Sequence, residues 1–170
     1  GRVTGVQTCA LPISKLRVFP FIGYDLRKLE SNQGLKEIKA IWVKYSCQSS
    51  DRKYLSIDSG TVLGIKLYPP IGFTPTPSNP EIAKKYLEFF RWCNIDGIPL
   101  TVHCQSASGS YSVGHKSRTV NKMTHGKNWW HLFQKNPDIK DMRINFAHFG
   151  GEDGVEDLID WYGVDKDSWT

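Results

Sequence analysis

Short apolar runs alternate along this chain with segments whose apolar residues recur at helical spacing. The first run, Arg17–Tyr24, is rich in Val, Phe and Ile and predicts a strand, although Pro20 interrupts it. Leu35, Ile38, Trp42 and Tyr45 then fall on one helical face, with Lys36, Glu37, Lys39 and Lys44 on the other. After a polar loop at 48–53, Thr61–Leu67 predicts a second strand; Tyr68-Pro69-Pro70 stops it, because proline cannot continue a ladder. The next helix has a clear start: Asn79 as N-cap, Pro80 in the first position and Glu81 at the positive end of the dipole. Its apolar stripe is Ile82, Tyr86, Phe89, Phe90 and Cys93, and Gly97 follows its end. Ile98–His103 is a third strand. The polar stretch from Gln105 to Gly126, rich in Ser and Gly, is longer than a simple connector requires. Trp129, Trp130 and Phe133 mark a short helix stopped by Asn136-Pro137. Met142–His148 is a fourth strand, and Val155, Leu158, Ile159 and Tyr162 predict a last helix.

Strands alternating with helices make an α/β chain with a parallel sheet. The runs read as continuously apolar, so the sheet is expected to be covered on both faces. An open doubly wound sheet and part of a barrel both satisfy this order. The doubly wound form carries a Gly-rich turn after its first strand, and no GxGxxG or GxxxxGK[ST] occurs here. The strand ends favour the barrel. Lys66 follows Gly60-Thr-Val-Leu-Gly-Ile, His103 follows Gly97-Ile-Pro-Leu-Thr-Val, and His148 follows Arg143-Ile-Asn-Phe-Ala. Parallel strands end at one edge of the sheet, so these side chains should converge on one rim. A complete barrel needs ~250 residues, and the expectation is therefore a partial (β/α)8 TIM barrel of about four consecutive strands.

Residues 3–13, Val-Thr-Gly-Val-Gln-Thr-Cys-Ala-Leu-Pro-Ile, match a sequencing-library adapter read in frame. Residues 1–14 are accordingly read as adapter-derived, and 15–170 as a native domain cut at both ends from a longer protein. Thr, Gln and Pro break the apolar part of the first segment, so it is no signal peptide. No apolar run approaches ~18 residues, and no membrane span is expected. The formal charge of +5 is spread over helix faces and loops, without the Lys/Arg block or aromatic-basic motif of a nucleic-acid binder. Outside the adapter segment, Cys47, Cys93 and Cys104 show no CxxC spacing, which suits a reduced, cytoplasmic chain.

In this order, Gly64-Ile-Lys-Leu-Tyr-Pro-Pro, Pro99-Leu-Thr-Val-His103-Cys, Trp129-Trp130 ahead of Pro137, and Asn145-Phe-Ala-His148-Phe-Gly-Gly resemble the amidohydrolase superfamily. Within it the likeness is to the amidohydrolase-related branch, which includes aminocarboxymuconate semialdehyde decarboxylase, and it runs from about Phe19 to Tyr162. The resemblance implies a (β/α)8 barrel with strands three to six represented here. It implies a metal-activated water attacking a C–N, C–O or similar bond of a small-molecule substrate. The metal is expected to be divalent, zinc first, with manganese or iron also suited. His103 falls on the family's fifth-strand metal ligand. His148 falls on its sixth-strand histidine, a ligand in binuclear members and an acid/base catalyst in mononuclear ones.

Lys66 stands where binuclear members carry a carboxylated lysine, but Leu67-Tyr68-Pro69-Pro70 is an unusual context for that modification. An amine there also suits holding a substrate carboxylate or phosphate, or an oxyanion. Tyr68 and Gln105 are substrate-lining candidates by position. Cys104 alternates with His103 and is expected in the core. His115, His125 and His131 read as surface groups or substrate contacts, and Trp129-Trp130 as core. The family's His-x-His pair and final-strand aspartate are absent from this chain, so the fragment alone is expected to bind metal poorly and to be inactive, and the full-length protein to be a possible homo-oligomer. Two other readings stand beside the hydrolase: a non-oxidative decarboxylase of the same superfamily, and a barrel that has lost catalysis and serves binding or structure.

Overall fold

The computed structural model describes residues 20–47, 61–105 and 122–150. Four strands form one parallel sheet in the sequential order β1 (Phe21–Tyr24), β2 (Gly64–Leu67), β3 (Leu100–Gln105) and β4 (Ile144–Gly150). Among the described residues, three helices of nine residues or more lie along the connections: α1 (Gly34–Tyr45), α2 (Pro80–Ile95) and α3 (Lys127–Lys135). No helix among the described residues is long and apolar enough to cross a membrane.

In-register partners of a parallel sheet point to the same face. Ile22, Ile65, Leu100 and Ile144 make one row, and Tyr24, Leu67, Val102 and Phe146 the next on that face. These rows share a single core with Ile38 and Trp42 of α1, Tyr86, Phe89 and Phe90 of α2, and Trp129 and Leu132 of α3. The alternate rows contain Gly23, Lys66, Thr101 and Asn145, then His103 and Ala147. None of these belongs to the core. The expected two-sided cover is therefore corrected: among the described residues the helices pack on one face only. Thr101, His103 and Asn145 interrupt runs that had read as continuously apolar, and Lys66 does the same in β2. Crossovers of one hand between sequential neighbours carry every helix to the same side. A doubly wound sheet needs a reversal of strand order, and none occurs among these four strands.

Element boundaries move for local reasons. β3 starts later than its apolar pattern, because Pro99 lacks the N–H a strand interior requires. Asp25, where the first strand ends, caps an unexpected 3-10 turn, Leu26–Glu30, by accepting from the Arg27 N–H. Gly64 is required by close approach, since a Cβ there would strike the Phe21 ring and the Pro99 carbonyl. The adapter-derived segment, residues 17–19 of the first strand, the 48–53 loop, His115 and the Val155–Tyr162 helix lie outside the described residues.

Helix α2 has the start and stop its sequence predicts. Asn79 Oδ1 accepts from the N–H groups of Glu81 and Ile82 at 2.9 and 3.3 Å. At the other end Gly97 takes φ 63°. Its N–H bonds the Asn94 carbonyl while the Ile98 N–H bonds that of Cys93, the paired closure of a Schellman motif. Asn79→Ala is expected to lose about 1 kcal/mol in a thermal denaturation series, with Asn79→Ser close to wild type.

Candidate functional site

Two neighbouring strands bring His103 and His148 to the C-terminal edge of the sheet. Their rings meet edge to face, with centroids 4.8 Å apart. Regular pairing would not achieve this. His103 is in register with Ala147, so the next residue of an undistorted β4 would point toward the helices, as Cys104 does on β3. Instead the pairing slips between His103 and Gly150: one residue separates His103 from Gln105, while two separate Ala147 from Gly150. His148 sits in this bulge at φ 68°, the only non-glycine with positive φ among the described residues. A left-handed residue reverses the alternation and turns the imidazole back to the rim. The conformation costs on the order of 1 kcal/mol for an L-residue, and it is the step that places the second histidine against the first.

His103 is buried at 7 % exposure, whereas His148 is exposed. The Tyr68 ring lies on the other flank of His103, centroids 4.7 Å apart and edge to face. Tyr68 opens the tight turn Pro69–Ile71, whose two prolines are buried. Burial pushes the His103 pKa down to about 4, and His148 and Lys66 push in the same direction. His103 is therefore a neutral imidazole at physiological pH. Lys66, half-buried one row below, is itself lowered by burial.

Gln105 is half-buried just past the bulge, and its carbonyl accepts from Thr124 Oγ1 at 2.8 Å. That bond ties the residues before α3 to the end of β3. His125 accepts the Lys127 N–H through Nδ1 at 3.2 Å, and His131 packs on Trp130 with centroids 5.0 Å apart. Neither has a ring contact with the histidine pair. Cys104 is fully buried, and Trp129 packs on Phe90 and Phe146 within the core.

Two residues on the site's face escaped the sequence reading. Thr101 and Asn145 stand in register with Lys66, one row below His103. The signal was present as alternation, Thr101 and His103 in β3 and Asn145 in β4, but it is brief and lies within runs that are otherwise apolar. One carboxylate stands at the end of β1, Asp25, and it is taken by Arg27 through contacts of 2.7 and 2.9 Å. Its pKa falls despite the opposing cost of burial, because Arg27 bonds it. It is not among the groups that set the field at His103. Comparison with family models, with curated proteins and with solved structures finds no match to this chain.

Proposed function

We propose that residues 15–170 carry part of a metal-dependent hydrolase of the amidohydrolase type, four strands of a (β/α)8 TIM barrel with the chemistry at its C-terminal rim. The observation that carries this reading is the contact of His103 with His148 at the ends of neighbouring parallel strands. Sequential strand order with the described helices on one face supports the barrel, since that winding lets a sheet curl with its polar face inward.

The donor chemistry fits a divalent ion in part. A histidine held neutral near pH 7 presents a ring lone pair, and His103 meets that condition. With His148 it would fill two positions of a metal's shell. No group of three or more His, Cys, Asp or Glu side chains gathers among the described residues, so the other donors would be water or groups outside them. Zinc suits imidazole ligands best, and manganese or iron is also compatible. Such an ion would supply Lewis acidity and acidify water. The chain's own side chains divide the remaining work. Tyr68 shields one flank of His103 from solvent, Lys66 holds negative charge beside it, and His148 faces the substrate side.

Zinc titration of the full-length protein by calorimetry tests the reading. His103→Ala and His148→Ala are each expected to weaken binding by about tenfold or more, and metal-dependent hydrolysis by the full-length protein should fall with them. Unchanged zinc affinity in the double variant would remove the metal site.

A further inference from the structure

Among the described residues, the face of the sheet turned away from the helices is basic. Along it stand Lys66, Thr101 and Asn145 in one register row, His103 with His148 at the next, and Arg143 beside a recess of about 390 Å3 that Phe21, Pro99, Thr101 and Asn145 also line. No Asp or Glu occupies β1 to β4, and Asp25 at the end of β1 is engaged by Arg27. Lys66 has no carboxylate partner among the described residues, and its pKa is lowered by burial with no anion holding it up. An ammonium half out of water without a counter-charge is costly, and a bound anion removes that cost. Hydroxyl and amide groups on the adjacent strands, spaced about 4.8 Å apart, are the donors that complete an oxyanion's hydrogen bonds.

We propose that this face binds a small oxyanion, carboxylate or phosphate in chemistry, with its charge on Lys66 and its remaining oxygens on the Thr101 hydroxyl and the Asn145 amide. The inference deepens the hydrolase reading and rests on it for the reacting end of the ligand only. Successive rows on one face are about 6.6 Å apart along the strands. A ligand charged at Lys66 therefore presents to His103 and His148 a group roughly that far from its anion. The substrate class is a compact anion whose reacting bond is several atoms from its charge.

The test uses the purified chain without added metal, with inorganic phosphate and benzoate as separate probes followed by backbone amide shifts. Saturable binding is expected with at least one probe, perturbing Thr101 and Asn145. Lys66→Met should weaken it about tenfold or more, while Lys66→Arg should stay within about threefold. A dispersed amide spectrum for both variants shows that they fold. Binding of phosphate alone assigns a phosphate ligand, and binding of benzoate alone a carboxylate. Absence of saturation with both probes, or equal affinity in Lys66→Met, overturns the proposal. Because no metal is present, a failure of zinc binding leaves this result intact and counts against the hydrolase reading alone.

Discussion

Phe89→Ala is expected to destabilise the protein by about 3–5 kcal/mol, the range for deleting a fully buried aromatic ring. Phe89 has no exposed surface and meets three rings: Tyr24 at 5.8 Å, Phe90 at 5.5 Å and Trp92 at 5.8 Å between centroids. Truncation forfeits the transfer energy of the ring and leaves a cavity lined by stiff aromatics that cannot close around it. The loss is a large share of the roughly 5–15 kcal/mol that holds a domain folded. Phe89→Leu keeps most of the volume and should cost about 1.5 kcal/mol or less. Urea unfolding followed by tryptophan fluorescence measures both. A loss below 1 kcal/mol for the alanine variant would show that α2 is not the anchor of this core. Helix α2 joins β2 to β3, so its docking also sets the relative position of Lys66 and His103.

Acidification is expected to unfold the protein through His103. Its pKa is about 4 in the folded state against an ordinary value of 6.5, so between these values the unfolded chain binds a proton that the native chain refuses. Stability therefore rises with pH across this window, is complete above about 6.5, and is lost as pH falls toward 4. Burial is the leading cause, since charging the ring would place a cation out of water beside Lys66 and His148. The contribution reaches about 3.5 kcal/mol, from a free energy of about 1.4 kcal/mol per pKa unit. Urea midpoints for metal-free protein at pH 7, 6, 5 and 4.5 should fall steeply, and His103→Gln should flatten that slope. An equal slope in the variant would place the acid sensitivity elsewhere than His103.

Much of this architecture follows from local chemistry that a sequence displays directly. Asn79-Pro80 at one end of α2 and Gly97 at the other are capping signals whose partners lie within a few residues. The apolar stripe between them had one physical outcome, a helix buried along Tyr86, Phe89, Phe90 and Cys93. The arrival of Lys66, His103 and His148 at one end of the sheet follows from parallel winding in the same way. Less was legible where partners are distant. α1 shows the limit, since its expected stripe buries Ile38 and Trp42 but leaves Tyr45 44 % exposed.

The sequence by itself determined the element types, the α/β class and which side chains reach the strand ends. These depend on periodicity, caps and proline, all acting within a turn or two of chain. Only the tertiary structure decided that the described helices cover one face, because that depends on the strand order and the hand of each crossover. It alone decided that Thr101 and Asn145 share a row with Lys66, because register is set between strands. It alone brought the two imidazoles together, since the bulge that puts His148 at φ 68° arises from a mismatch of β4 against β3. Neither strand carries that mismatch in its own residues; it exists only in their pairing.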